Sequence, residues 1–157
     1  MSEEGHEQIV TRIRAYVPAA LHDRIPPPVI RELGARFQNY VPGESLEALF
    51  PVKPQFTNMA GGVQGGILIA SLDSVMGSLA FIECKAPVTS TSINTSFLRP
   101  VMPANGDYLV RAKFKYRTKQ FAYTEGEVYS GSDDPCALCT MTTMILSPER
   151  MGVRDTN

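Results

Sequence analysis

Apolar positions along the chain follow a helical period first, then a strand period, then a helical one again. Residues 4–22 carry Ile9, Ile13, Tyr16, Val17 and Ala20 with charged residues between them, which predicts a short amphipathic helix. Pro26-Pro27-Pro28 ends that helix and leads into the body of the domain. Residues 33–41 and 44–52 predict two strands that turn at Pro42-Gly43. From about Gln64 to Glu83, Leu68, Leu72, Val75 and Leu79 form one helical stripe, and Ile69, Met76 and Ala80 form its neighbour. A helix apolar on nearly all sides belongs in an interior.

After Pro87 the pattern is that of strands, at roughly 88–98, 108–116, 121–131 and 136–147. The clearest has Tyr108, Val110, Ala112, Phe114 and Tyr116 on one face and Arg111, Lys113 and Lys115 on the other. Such alternation places core on one side and solvent on the other. Asn105-Gly106 and the run Gly131-Ser-Asp-Asp-Pro135 supply turns. The predicted order is helix, two strands, one buried helix, four strands, within a single domain. Residues 1–28 form its N-terminal helical extension and residues 33–147 its core. One antiparallel sheet covers only one side of a helix, so a second subunit or the sheet's curvature must cover the rest.

A formal net charge of -1 gives no electrostatic reason to expect a nucleic-acid partner. The N-terminus, MSEEGHEQ, is acidic and polar, unlike a secretory signal. The apolar run from Ile67 to Ile82 is interrupted by Asp73 and three serines, too short to span a bilayer comfortably. These features predict a soluble cytoplasmic protein without a membrane partner. Cys136-Ala-Leu-Cys139 spells half of a zinc motif, but no second pair exists and His6 and His22 lie far away in sequence. On a strand, residues three apart point to opposite faces. Packed thiols, and no metal, are expected.

The chemistry concentrates in Asn58-Met-Ala-Gly-Gly-Val-Gln-Gly-Gly-Ile-Leu-Ile-Ala-Ser-Leu-Asp73. Gly65 and Gly66 sit where the helix begins, beside unpaired N–H groups and the positive end of the dipole. Such an end can hold an anion or a developing oxyanion, though the glycines can also serve close packing alone. Asp73 is the one charged residue between Ile67 and Ile82, and a carboxylate on an apolar stripe needs a partner or a purpose. It reads either as a structural acid bonded to the following strands or as a general base or nucleophile tuned by burial. Gly65 and Asp73 lie roughly 12 Å apart along one helix axis. The simplest way for both to serve one carbonyl pairs Gly65 of one subunit with Asp73 of another, and antiparallel helices would make two equivalent sites.

This stretch resembles the Asn-x-x-Gly-x-x-His-Gly-Gly…Asp signature of the hot-dog thioesterases, in particular the phenylacetyl-CoA (PaaI) and 4-hydroxybenzoyl-CoA thioesterase branch. The likeness extends from about Leu33 to Leu146. It implies an α+β hot-dog fold, in which a curved antiparallel sheet wraps a long central helix. It implies an acyl-CoA thioesterase that releases free acid and CoA, working as a homodimer or a dimer of dimers. No cofactor is implied, since coenzyme A is part of the substrate. Carried onto this chain, Asn58 helps orient the thioester and the Gly65 N–H polarises its carbonyl. Asp73 of the facing subunit attacks that carbonyl or activates water, and Ser90 matches a water-holding hydroxyl. Gly66 stands beside the ligand. Arg117-Thr118-Lys119 resembles the stretch that meets the nucleotide, and Arg99 is a second candidate for the phosphates. The family's histidine is Gln64 here, an amide that donates a hydrogen bond but takes no proton near neutral pH. That departure supports an alternative, a non-catalytic acyl-CoA binder. A hydratase or dehydratase of the same fold would need a histidine near the Gly-Gly helix.

Overall fold

The apolar stripes resolve into one long helix laid across one sheet in a computed structural model that describes residues 3–147. Helix α1 (Glu3–Arg14) is followed by a 3-10 segment (Ala19–Arg24) and by helix α2 (Pro28–Leu33). The proline run therefore begins a helix and does not end the first one, since α1 stops at Arg14 and only the 3-10 segment leads up to Pro26. Pro28 takes the first helical position, where its missing N–H leaves no bond unmade. Gly34 stops α2 in the left-handed conformation at φ 76°. The buried stripe of this segment is Ile9, Val10, Ile13 and Val17, while Tyr16 and Ala20 are exposed. Because α1 ends at Arg14, the later positions leave the helical phase assumed for residues 4–22.

Six strands follow: β1 (Arg36–Val41), β2 (Ser45–Phe50), β3 (Val88–Phe97), β4 (Tyr108–Arg117), β5 (Phe121–Tyr129) and β6 (Pro135–Ile145). They form one antiparallel sheet in the order β1-β2-β4-β5-β6-β3, and α3 (Gly65–Cys84) packs across it. This is the hot-dog arrangement. Leu72, Val75, Met76 and Leu79 of α3 have no exposed surface. The approach is closest at Gly126 of β5, where a Cβ would lie 2.5 Å from Met76 Sδ and 2.8 Å from Leu72 Cδ2. Ser71 Oγ and the Tyr108 hydroxyl meet at 2.7 Å and tie α3 to β4, and Tyr108 stacks on Phe50. At the other end of α3, Glu83 accepts the Tyr40 hydroxyl at 2.7 Å and the Gly43 N–H at 2.9 Å. Burial and that carboxylate push the Tyr40 phenol up to about 12.

Strand β4 alternates as expected through Tyr108, Val110 and Ala112, but Tyr116 is 66% exposed. A bulge between Phe114 and Tyr116 breaks the alternation. The outer face carries cross-strand ion pairs, Arg111–Glu47 at 2.6 Å, Lys113–Glu127 at 3.0 Å and Lys115–Glu125 at 3.1 Å. Cys84, Cys136 and Cys139 are free and buried, and burial pushes the Cys84 and Cys139 thiols up.

Helix α3 has 20 residues, and an 18-residue window of it has a mean hydropathy of 1.7, enough by length and composition to cross a membrane. That exceeds the expectation from Ile67–Ile82, yet its large apolar side chains fill the core. Nor is it apolar all round. The side away from the sheet exposes Gly66 and Asp73, with Ala70, Ser74 and Gly77 half-buried. The two sheet edges also differ. On β1, the Phe37 N–H is bonded to His6 Nδ1 of α1 at 3.2 Å. On β3, the side away from β6 has no strand beside it among the described residues.

Gly126→Ala is expected to lower the unfolding free energy by about 1–3 kcal/mol through overpacking against Met76 and Leu72. Urea denaturation at unchanged m-value is the measurement, and wild-type stability would mean that α3 can retreat from β5 at no cost.

Candidate active site

The loop entering α3 is fastened before the helix starts. A bridge joins Thr57 to Val63, the Val63 N–H donates to Val101 O at 2.9 Å, and the Gln64 N–H donates to Phe56 O at 2.9 Å. Asn58 Oδ1 accepts the Ala60 N–H at 2.9 Å, closing a local turn of the kind asparagine favours. Gln64 caps α3 with its backbone: its carbonyl accepts the Ile67 N–H at 2.9 Å and the Leu68 N–H at 3.3 Å. Its side chain makes no capping bond and is exposed. The Gly65 and Gly66 N–H groups come earlier than any acceptor the helix itself can offer.

The two glycines differ in surroundings. A Cβ on Gly65 would meet the Phe97 ring at 3.1 Å, so packing explains that position. A Cβ on Gly66 would meet nothing within 4 Å, so packing within the chain does not explain it. Asn58, Gly65, Phe97, Leu98 and Arg99 border a pocket of about 380 Å³. Phe97 and Leu98 are half-exposed and nearby Met59 is fully exposed, an apolar surround of the sort that partners or ligands cover. The Arg99 guanidinium is held by Ser132 Oγ at 3.1 Å and by the Asp134 carbonyl.

Asp73 lies about two turns further along α3 and corrects the expectation of a buried acid. It is exposed, because it sits on the side of α3 that the sheet does not cover. Its Oδ1 accepts the Ser90 hydroxyl at 2.5 Å. That contact depends on a bulge in β3. Ile93 packs on the core and Phe97 lies against Gly65, so odd positions face α3 in the C-terminal half of the strand. Strict alternation would turn Ser90 outward. The register shift between Ser90 and Ser92 reverses the parity and brings Ser90 back to the helix side. Asp73 and Ser90 border a second pocket of about 240 Å³, distinct from the one that holds Asn58 and Gly65. The chain thus carries two groups of candidate residues that it does not bring together by itself.

Arg117 ends β4, and Thr118 and Lys119 continue into the exposed turn before β5. Thr118 Oγ1 accepts the Phe121 N–H at 2.9 Å and the Gln120 N–H at 3.2 Å, so this hydroxyl builds the turn. The register runs Arg117–Ala122–Thr143–Ser90 across the sheet, which sets these cations at the Ser90 end and Arg99 at the Gly65 end. Both histidines serve the N-terminal segment: His6 stacks on Phe37, and His22 Nε2 bonds to Val17 O at 2.9 Å. Neither borders either pocket. Sequence reasoning missed Ile13, Pro27, Val29 and Ile30, which border the pocket beside Asp73. The only signal for them was their apolar character near the proline run.

Residues 60–137 match the thioesterase superfamily. A phenylacetic acid degradation-related protein of Ralstonia eutropha JMP134 is 30% identical, over 87% of this chain and 99% of its own, with a TM-score of 0.70. The chain belongs to the thioesterase superfamily. A thioesterase family protein of Silicibacter pomeroyi is 25% identical over 88% of this chain and 98% of its own, with a TM-score of 0.73. The PaaI protein of E. coli, from the phenylacetic acid degradation operon, shares the fold at 15% identity, over 90% of this chain and 96% of its own, with a TM-score of 0.75. No curated protein matches the chain in sequence.

For a thioesterase, the open space at Gly66 is a direct target. Gly66→Ala is expected to leave stability within about 0.5 kcal/mol of wild type, as for substitutions away from packed features. Thioester hydrolysis should fall at least about 10-fold if a carbonyl docks on this helix start. Unchanged hydrolysis would show that the ligand does not approach Gly66.

Proposed function

We propose that the protein hydrolyses an acyl- or aryl-CoA thioester to the free acid and CoA, at sites shared between two subunits. The observation that carries this reading is the Asp73–Ser90 pair, exposed, bordering its own pocket and separate from the helix start at Gly65. Two half-sites on one rigid helix become whole sites when a second copy supplies the complement. The unpaired edge of β3 offers the means, since an exposed edge strand is a template for pairing. In an antiparallel pair of β3 strands matched end to end, Val88 faces the partner's Phe97 and Ser90 faces the partner's Thr95. The Asp73–Ser90 pair then approaches the end of the strand that lies against the partner's Gly65.

In such a site the thioester oxygen accepts the partner's Gly65 N–H at the positive end of a 20-residue helix. Asp73, oriented by the Ser90 hydroxyl, attacks the carbonyl carbon, expelling CoA as the thiolate and leaving a mixed anhydride that water hydrolyses to the free acid and Asp73, or takes a proton from the attacking water. In the second case the water oxygen bonds to carbon, the C–S bond breaks, and the CoA sulfur leaves with the proton. The Gln64 amide can donate to the thioester but cannot take a proton from water, so acid–base work rests on Asp73. Pairing also gathers the cations. Arg117 and Lys119 flank the Asp73 half and Arg99 the Gly65 half, so both groups border one composite site and can meet CoA phosphates. The positions of His6 and His22 speak against a hydratase. Gln64 favours one second reading, a binder without turnover, which would hold acyl-CoA while releasing no thiol.

Asp73→Asn should lower hydrolysis at least about 100-fold, the low end for loss of general acid–base catalysis. Its folding should survive, and near-normal thiol release would end the mechanism. A mixed dimer tests the sharing. Asn58→Ala and Asp73→Ala should each be badly impaired as homodimers. Refolded together, they rebuild one intact site, with both lesions confined to the other. A mixed dimer that forms yet stays as inactive as its parents would place Asp73 within its own chain's site.

A further inference from the structure

The pocket beside Asp73 extends away from the reacting end. Asp73, Gly77 and Phe81 follow one line along α3 over roughly 12 Å, and all three border the same pocket of about 240 Å³. The facing wall comes from the N-terminal segment: Ile13 of α1, Pro27, and Val29 and Ile30 of α2. That wall is held in place, since the Arg14 guanidinium donates to Ile25 O at 3.0 Å and joins α1 to the approach to α2. Among the described residues that border the pocket, Asp73 is the one that carries a charge. Ser74 and Ser78 border it too, but each hydroxyl donates to a carbonyl of its own helix at 2.7 Å. At the middle of the floor, a Cβ on Gly77 would meet nothing within 4 Å. The lining is mainly apolar and includes the carboxylate.

Resting on the thioesterase reading above, we infer that this pocket takes the acyl group and that the N-terminal wall and Gly77 set its size. The occupant is a neutral, apolar acyl chain, straight or aryl, of about eight to ten carbons. The size follows by proportion, since an apolar cavity of about 150 Å³ holds the six carbons of benzene. The charge follows from the lining. A tail ending in a carboxylate would find no cation there, and would share the pocket with Asp73.

The test is kcat/KM for CoA thioesters from acetyl to hexadecanoyl, with succinyl-CoA as the charged probe. For wild type, kcat/KM should rise roughly 3- to 4-fold per methylene, the transfer worth of each group. It should stop rising at about eight to ten carbons. Succinyl-CoA should be at least about 10-fold slower than butyryl-CoA, given the cost of an unpaired charge. Gly77→Leu places its side chain in the open space and should lower the decanoyl-to-butyryl ratio at least about 10-fold. Val29→Trp narrows the pocket from the opposite wall at a residue that is 50% exposed, so it keeps the test decisive if the Gly77 variant fails to fold. A flat acyl-length profile in an active wild type, or a ratio that neither folded variant moves, overturns the inference alone. A wild type that hydrolyses none of the series overturns the thioesterase reading, and this inference with it.

Discussion

The approach of α3 to β5 at Gly126 leaves no room for a Cβ, and the other elements are placed around that fit. With Leu72 and Met76 pressed onto the sheet, the helix cannot rotate without driving large side chains into solvent or backbone. Its opposite side is fixed by the same constraint, and there the sequence changes to Gly66, Ala70, Asp73 and Gly77. Small residues and one carboxylate on that side leave a surface that a ligand or a second copy can approach closely. The first turn and Asp73 are therefore held at a separation set by helix geometry, roughly 12 Å. A carbonyl group is far smaller than that gap. In the site we propose, the need for a second subunit follows from the rigidity of one helix.

The sheet handles its edges unequally, and the inequality bears on the same question. At β1, α1 lies alongside and His6 takes up the Phe37 N–H. At β3, ten residues of strand border β6 on one side and, among the described residues, no strand on the other. The bulge in β3 adds a further element. It lets Ser90 and Phe97, which have opposite parity, face the same helix, one at Asp73 and the other at Gly65. One irregularity in one strand thus serves both groups of candidate residues.

The legible parts of the chain were those in which burial is one-sided and periodic. The α3 stripe of Leu68, Leu72, Val75 and Leu79 and the alternation of Tyr108, Val110 and Ala112 report packing against a single surface, and both are buried. The Gly-Gly helix start was legible because few other residues let a ligand reach a helix N-terminus. Features that depend on a count of one residue were not. Strict alternation turns Ser90 outward, Tyr116 inward, and neither holds once a bulge intervenes. Helix α2 was hidden because a proline run reads as a stop, while Pro28 at the first helical position is a start. Asp73 looked buried because its neighbours in sequence are apolar, but a helix turns roughly 100° per residue and carries it onto the open side. Thr118 shows a different limit, since a hydroxyl beside two cations reads as a ligand contact when the turn itself consumes it.

The core contacts and the candidate site residues lie on different faces of α3, which bears on the replacement of the family's histidine by Gln64. The helix cap is made by the Gln64 carbonyl, and its side chain takes no part in it. Stability therefore places little demand on the side chain there, and the choice of amide over imidazole is left to the ligand. An amide keeps a hydrogen-bond donor for a thioester oxygen while giving up a group that titrates near neutral pH. In the site we propose, loss of that proton carrier is tolerable only if another group moves the proton. The Asp73–Ser90 pair is placed to do so, on the same open side of α3 and backed by a strand bent to meet it.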